Sequence, residues 1–182
     1  MHRMHPFRQG TESSLTGLSG LKTLPASIPS FSKRIGLIGG SAPSPRHMRI
    51  AEEMGRRIAE NGFTLVNGGL RGVMEASARG AKAGGGWVIG ILPGKSAHEA
   101  NSFTDIAVPT GLGYLRNALV VLNSDVLVAI AGAYGTLSEI AYTQIYGRKV
   151  FGIETWDIPG VIPAASAQDA MDQINAFLRG QK

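Results

Sequence analysis

The sequence predicts a single α/β domain built on a doubly wound parallel sheet with helices on both faces. Short, nearly continuous apolar runs alternate with segments whose apolar residues recur every three or four positions, which is the pattern of repeated strand–helix–strand units. The segment Val126–Ile130 contains only apolar residues, as is typical of a strand buried on both faces of a parallel sheet. A length of 182 residues suits one domain better than two.

The first half of the chain divides at glycine-containing breaks. An apolar run over 35–38 predicts the first strand, which GGS at 39–41 ends. Ile50, Met54 and Ile58 recur at i, i+4 and i+8, which predicts a helix over 46–61, and Gly62 lies where a helix commonly ends. Apolar runs over 63–66 and 87–92 predict the second and third strands, joined by a helix over about 72–83.

The second half continues the alternation. Residues 105–108 predict a short fourth strand, and 126–130 and 150–153 predict the last two. A helix is predicted over 113–123, with Leu115, Leu119 and Leu122 on one face, and another over 136–146. The final helix is predicted over 167–179, because SAQD at 166–169 resembles a capping box in which Asp replaces the usual Glu or Gln.

Residues 1–32 differ in composition from the rest of the chain. They are rich in Ser, Thr, Gly, Pro and basic residues and show no sustained period, which predicts a disordered basic leader ahead of a domain at 33–182. An organellar transit peptide is the alternative, because such peptides are also Ser-rich, basic and poor in acidic residues.

Charge and composition exclude several classes of function. Residues 1–34 carry five basic side chains and one acidic side chain, whereas residues 35–182 carry 13 basic and 12 acidic, so the net charge of +5 belongs mainly to the leader. A nearly neutral domain argues against a nucleic-acid interface. No apolar run approaches the roughly 20 residues that span a bilayer. The absence of cysteine excludes disulfides and thiolate sites and fits a cytoplasmic protein, and no metal-ligand spacing involves His47 or His98.

Three predicted turns from strand to helix are rich in glycine: GLIGGS at 36–41, NGGLRG at 67–72 and AGAYGT at 131–136. Parallel strands bring their carboxyl ends to one edge of the sheet, where doubly wound proteins bind ligands. Glycine lets a ligand approach the backbone, and phosphate is the ligand that commonly binds at the N-terminus of the helix that follows. Close packing of helix on sheet is the alternative role for these glycines. None of the turns matches a P-loop or G-x-G-x-x-G, which disfavours a dehydrogenase.

Two of these turns carry a family resemblance. GGLRGVM at 68–74 and AGAYGTLSE at 131–139 together resemble the GG-x-x-G-[LV]-M and PGG-x-GT-x-x-E segments of the LOG-like ("lonely guy", lysine decarboxylase-like, SLOG) superfamily, whose fold is Rossmann-like. TGLGYLRN at 110–117 resembles the T-G-x-x-x-x-R-N segment of the branch related to molybdenum-cofactor carrier proteins, where hydrolase members tend to have Arg-Lys. Ala131 and Ala133 replace a proline and a glycine of the hydrolase form.

The resemblance implies two functions. One is a carrier that binds a phosphorylated small molecule, with a pterin such as the molybdenum cofactor as the expected ligand. The other is a phosphoribohydrolase that cleaves nucleoside 5′-monophosphates into a base and ribose 5-phosphate. Arg116 and Glu139 match the pair that would serve catalysis there, since a carboxylate can stabilise an oxocarbenium-like transition state. A purely structural alternative is that Glu139 stabilises its helix dipole and pairs with Arg116.

The resemblance and the turns together nominate the ligand-binding positions Gly39, Gly40, Ser41, Gly68, Gly69, Arg71, Gly72, Thr110, Gly111, Asn117, Gly132, Tyr134, Gly135 and Thr136. The carried ligand is the only cofactor implied, and none is expected to be needed for the fold. Family members commonly pair through helices flanking the site. A homo-oligomer, dimeric or higher, is therefore expected. An apolar face on residues 113–123 or 136–146 is compatible with such pairing, and burial in the core is the alternative explanation of the same pattern.

Overall fold

A computed structural model of the chain describes residues 32–180, so the predicted leader lies almost entirely outside the described residues. Seven parallel strands form one sheet in the order β4-β3-β2-β1-β5-β6-β7. The strands are β1 Arg34–Gly39, β2 Thr64–Asn67, β3 Val88–Leu92, β4 Ile106–Pro109, β5 Val126–Ile130, β6 Lys149–Ile153 and β7 Val161–Pro163. The predicted doubly wound α/β sheet is confirmed.

Residues 32–180 contain five α-helices, of which the first four connect strands and the last follows β7: α1 Pro45–Glu60, α2 Val73–Ala83, α3 Asn117–Leu122, α4 Tyr134–Ile145 and α5 Ala167–Arg179. Two short 3₁₀ turns, Ala97–Glu99 and Gly113–Arg116, precede β4 and α3. No helix among residues 32–180 is long and apolar enough to cross a membrane. A cytoplasmic location stays a prediction.

The core has two layers because successive side chains of each strand point to opposite faces of the sheet. Ile35 and Leu37 of β1 face α1, α2 and α5, whereas Ile38 faces α3 and α4. Gly55 of α1 and Gly80 of α2 lie at the crossing of these two helices, where an added Cβ would clash with the partner's backbone. These two glycines let the helices pack closely, which outweighs the low helix propensity of glycine.

Helix α5 begins close to the predicted capping box. The Ser166 hydroxyl accepts a hydrogen bond from the Asp169 N–H at 3.1 Å, as in such a box. The Asp169 carboxylate, however, accepts from the Ala165 N–H at 2.8 Å. The shorter side chain of Asp169 therefore accepts from the N–H of the residue before the N-cap, rather than from the N–H of the N-cap residue Ser166 as in a capping box.

The helix predicted over 113–123 is wrong in its first half. Residues 113–116 form a 3₁₀ turn, and only Asn117–Leu122 is α-helical. Leu115 is 69% exposed and Leu122 is 39% exposed, whereas Arg116 and Asn117 are buried. The leucine periodicity did not predict the 3₁₀ turn, at whose end the polar side chains of Arg116 and Asn117 turn inward to line a cleft.

The sheet order reverses between β1 and β5, since β2, β3 and β4 lie to one side of β1 and β6 and β7 to the other. Such a switch point opens a crevice at the carboxyl ends of the two central strands. Gly39 ends β1 and Ile130 ends β5, opposite each other in register. Two of the three predicted glycine-rich turns therefore begin side by side.

Candidate functional site

A cleft of about 240 Å³ opens at this switch point. It draws on all three glycine-rich turns and on the segment before α3. Its lining residues are Leu37, Ile38, Gly39, Gly40, Ser41, Gly68, Leu70, Met74, Tyr114, Arg116, Asn117, Ala133, Gly135, Thr136 and Glu139. One wall is apolar, and the floor and the opposite wall carry the polar groups.

Arg116 and Glu139 form the floor of the cleft. Both are buried, with 7% and 6% of their surface exposed. Arg116 Nη1 lies 3.9 Å from Glu139 Oε1, which is beyond hydrogen-bond distance. The Arg116 Nε is buried and has no hydrogen-bond partner among residues 32–180. The pair is thus close enough to interact electrostatically, and the guanidinium retains free donor capacity.

The backbone of Gly68 supports the guanidinium. A Cβ at Gly68 would clash with the Arg116 side chain, so the planar group lies directly against the second glycine-rich turn. Through this contact, Gly68 in the turn after β2 and Arg116 in the segment before α3 become parts of one site. Glycine at 68 is therefore required for the position of Arg116.

Burial affects the charges of Arg116 and Glu139 differently. Burial raises the pKa of Glu139 to about 8, although the positive charge of Arg116 opposes this shift. Burial also lowers the pKa of Arg116, and Glu139 counteracts that effect. Guanidinium remains charged in proteins. At neutral pH the floor therefore consists mainly of a cationic arginine beside a protonated carboxyl group, an arrangement that favours an anion.

Helix α4 supplies the opposite wall. Its N-terminal residues carry free backbone N–H groups, because Ala133 at the N-cap provides no side-chain hydrogen bond. Thr136 is buried in the first turn. Asn117 Nδ2 donates to the Gly135 carbonyl at 3.3 Å and to Ser138 Oγ at 3.0 Å. Asn117 therefore anchors the start of α4 against α3 beside Arg116.

The glycines of the turns divide into two groups by what an added Cβ would meet. At Gly39, Gly69, Gly72 and Gly132 a Cβ would clash with atoms of the protein itself. At Gly40 the nearest atom would be Gly132 Cα at 3.8 Å, and at Gly135 it would be Asn117 Nδ2 at 3.9 Å. Internal packing thus requires the first group, whereas Gly40 and Gly135 expose bare backbone to the cleft.

Nine nominated residues line this cleft: Gly39, Gly40, Ser41, Gly68, Arg116, Asn117, Gly135, Thr136 and Glu139. The other seven lie elsewhere. Arg71 lines a neighbouring cleft of about 520 Å³ that shares Ser41 and Leu70 with the first. Gly132 lines a shallow depression beside Trp156, and Gly69 and Gly72 are explained by packing.

Thr110, Gly111 and Tyr134 also lie outside the cleft lining. The Thr110 hydroxyl donates to the Leu92 carbonyl at 2.7 Å, and the Gly111 N–H donates to the Gly94 carbonyl at 2.8 Å. These bonds fix the turn that leads to Arg116. The Tyr134 ring packs near Trp156, with ring centroids 6.2 Å apart.

Sequence reasoning missed the apolar wall and the mouth of the cleft. Leu37, Ile38, Leu70 and Met74 line the wall, and Tyr114 lines the mouth. Leu37, Ile38 and Met74 belong to apolar patterns that fit core residues equally well, and Leu70 lies inside the second glycine-rich turn. Tyr114 gave a usable signal, because it lies between Gly111 and Arg116 in a segment already singled out.

The third turn differs in backbone from the hydrolase motif that it resembles. Ala131 has φ = 48°, a left-handed conformation that proline, fixed near −65°, cannot adopt. The hydrolase form has proline at this position. The turn that leads into α4 therefore takes a path that the hydrolase sequence would not allow.

A sequence model of the SLOG cluster4 family matches residues 32–177, which is most of the chain and includes every lining residue of the cleft. The chain belongs to the SLOG cluster4 family. The resemblance expected from the two motifs is confirmed. Among relatives, this SLOG cluster4 chain is 46% identical over 121 residues to an uncharacterized protein of Archaeoglobus fulgidus, covering 66% of this chain and 80% of the relative.

It is also 30% identical over 127 residues to a cytokinin riboside 5′-monophosphate phosphoribohydrolase of Mycobacterium tuberculosis, covering 63% of this chain and 68% of the relative. Among solved structures, this SLOG cluster4 chain resembles the molybdenum cofactor binding protein of Rippkaea orientalis, with a TM-score of 0.77, 34% identity and coverage of 81% of this chain and 98% of that one. The molybdenum cofactor carrier protein of Chlamydomonas reinhardtii gives a TM-score of 0.75, 32% identity and coverage of 81% and 99%.

Proposed function

We propose that the chain binds a phosphorylated small molecule in the switch-point cleft and acts as its carrier, with a pterin such as the molybdenum cofactor as the ligand. Two similar solved structures are described as a molybdenum cofactor binding protein and a molybdenum cofactor carrier protein. Each is covered almost completely by this chain. Both likenesses support a carrier role.

The observation that carries the proposal is the pair of open glycines above a cationic floor. Gly40 and Gly135 leave bare backbone where their neighbours would tolerate a side chain. Backbone N–H groups at a helix N-terminus bind phosphate well, and the positively charged Arg116 side chain lines the same cleft. A phosphate between α4 and Arg116 would therefore receive donors from both sides, and the protonated carboxyl group of Glu139 would not repel it.

The apolar wall suits the remainder of such a ligand. Leu70 offers partly exposed hydrocarbon to a flat ring, whereas Leu37, Ile38 and Met74 of the lining are buried. Binding sites for small molecules commonly combine an apolar lining with a few placed polar groups. In this arrangement the phosphate fixes the orientation of the ligand, and the wall excludes water from its ring.

The direct test is retention of a pterin by the purified protein. We expect protein from a host that makes the molybdenum cofactor to release a fluorescent oxidised pterin on denaturation. Gly135→Leu, which fills the phosphate position, should retain at least 10-fold less while keeping its circular dichroism spectrum. Preferential retention of plain nucleotides by the parent, with no pterin, would contradict the carrier proposal.

A second candidate is hydrolysis of nucleoside 5′-monophosphates, which the buried Arg116–Glu139 pair beside Thr136 favours. Water would add to the anomeric carbon as the N-glycosidic bond breaks, giving free base and ribose 5-phosphate. An ionised Glu139 would stabilise the positive charge of the transition state. Because burial raises the pKa of Glu139 to about 8, this activity should increase as the pH rises toward and above 8.

The corresponding assay incubates the protein with a panel of nucleoside 5′-monophosphates and detects base and ribose 5-phosphate by mass spectrometry. Product from the parent and none from Glu139→Gln would establish hydrolysis. No product from either at pH 7 and pH 9 would eliminate it and leave a holding site.

We also propose a homo-oligomer, because exposed apolar side chains concentrate on the segment from the 3₁₀ turn to α4. Leu115 and Ile145 are each 69% exposed, and Leu122 is 39% exposed. Sedimentation analysis should give a dimer or a larger species, and Leu115→Asp combined with Ile145→Asp should reduce it to a monomer. A monomeric parent at micromolar concentration would contradict this expectation.

A further inference from the structure

Tyr114 combines extreme exposure with a place in the cleft wall. Its side chain lines the mouth of the cleft, yet 87% of the residue is exposed. An aromatic ring of this size normally buries most of its surface. Packing within the described domain therefore does not explain the ring's position. The proposed oligomer would bury the neighbouring Leu115, but Tyr114, unlike Leu115, lines the cleft, where a ligand would cover it.

The cleft is too small to enclose a whole ligand of this kind, so part of the ligand would extend out of it. Its volume of about 240 Å³ is below the roughly 300–1,000 Å³ that is usual for small-molecule sites. A ligand that places a phosphate between α4 and Arg116 and a ring along the apolar wall would extend to the mouth. Tyr114 is the aromatic residue in the lining of this cleft.

The backbone connects the mouth to the floor. Tyr114 and Arg116 both belong to the 3₁₀ turn Gly113–Arg116. Gly113 precedes Tyr114 at φ = 56°, and nothing lies within 4 Å of where its Cβ would be. A single turn thus carries both the ring at the mouth and the guanidinium at the floor, so one ligand can contact both.

From these contacts we infer that Tyr114 stacks on the planar heterocycle of the bound ligand and makes the cleft selective for ring-bearing phosphates over ring-free ones. The inference rests on the proposed function, since it needs a phosphate ligand in this cleft. It adds the chemical class of the other end of that ligand, which is a planar nitrogen heterocycle such as the ring of a pterin or a purine.

The test compares two probes by isothermal titration calorimetry. Guanosine 5′-monophosphate carries a ring that shares its aminopyrimidinone portion with pterins, and ribose 5-phosphate carries no ring. Tyr114→Ala should weaken binding of guanosine 5′-monophosphate by about 5- to 150-fold, the range for aromatic stacking on a base, and leave ribose 5-phosphate binding within 2-fold. Tyr114→Phe, which keeps the ring, should restore the affinity for the nucleotide.

Tyr146→Ala is the matched control. Tyr146 is an exposed aromatic residue at the opposite end of α4 from the cleft, so its loss should change neither affinity. The inference is overturned if Tyr114→Ala weakens both probes equally, or weakens neither, while the parent binds both. If the parent binds neither probe, the proposed phosphate site itself fails and the inference fails with it.

Discussion

Glu139→Gln should remove a large pH dependence from the free energy of unfolding. Burial raises the pKa of Glu139 from an ordinary 4.5 to about 8, so the folded chain retains a proton that the unfolded chain releases. The stability contributed by this group is therefore present at low pH. It is lost as the pH rises from about 4.5 through about 8 and stays constant above that range.

The magnitude follows from the shift. Each pKa unit corresponds to about 1.4 kcal/mol, so a shift from 4.5 to about 8 corresponds to roughly 5 kcal/mol between acidic and alkaline conditions. Roughly 3 kcal/mol of this should already be lost at pH 7. Both values are large beside a typical domain stability of about 5–15 kcal/mol. Glutamine does not ionise, so the variant should lack this loss.

The assay is urea unfolding of the parent and Glu139→Gln at pH 5, 7 and 9. The difference in unfolding free energy, variant minus parent, should become more positive at each step, because all other titrating groups are common to both proteins. Glu60→Gln, at the exposed end of α1, controls for the loss of a carboxyl group. A difference that stays constant within about 0.5 kcal/mol from pH 5 to pH 9 would refute the assigned burial of Glu139.

Three further predictions concern packing around the cleft and the core. Gly40→Ala and Gly135→Ala should each weaken binding of inorganic phosphate at least 10-fold in calorimetry while leaving the unfolding free energy within about 1 kcal/mol of the parent, since a Cβ there meets only open cleft. Gly55→Ala should instead destabilise the fold by about 1–3 kcal/mol in urea unfolding, because its Cβ would clash with the backbone of α2. Met54→Ala should cost about 2–5 kcal/mol in the same measurement, since Met54 is fully buried.

Most of the fold was predictable because apolar runs and glycine breaks report directly on buried strands. Strands β1 to β6 and helices α1, α2, α4 and α5 lie within one or two residues of their predicted positions. Strand β7 was missed because Val161–Pro163 has three residues, ends in proline and shows no alternation. The start of α3 was wrong because Arg116 and Asn117 turn inward to serve the cleft, against the apolar periodicity.

The candidate site was predictable only in outline. Motif matching placed Arg116, Glu139 and Thr136 together, and the structure brings them into one cleft. It could not distinguish Gly40, which faces open space, from Gly72, whose Cβ would clash with the backbone near Gly40. That distinction depends on what surrounds each glycine in three dimensions, and glycine has the same appearance in a sequence whichever role it has.

The two proposed functions need different protonation states of Glu139. With the proton bound, the floor carries the net positive charge of Arg116 and suits a ligand that is held. With the proton released, the pair is neutral overall and presents a carboxylate that could stabilise a developing cation. Because burial places the pKa of Glu139 at about 8, the holding state predominates at neutral pH. The left-handed Ala131 also gives the turn a backbone that the hydrolase motif's proline could not adopt. The raised pKa of Glu139 disfavours hydrolysis at neutral pH, and the backbone of Ala131 departs from the hydrolase motif, so both features support the carrier proposal over the hydrolase proposal.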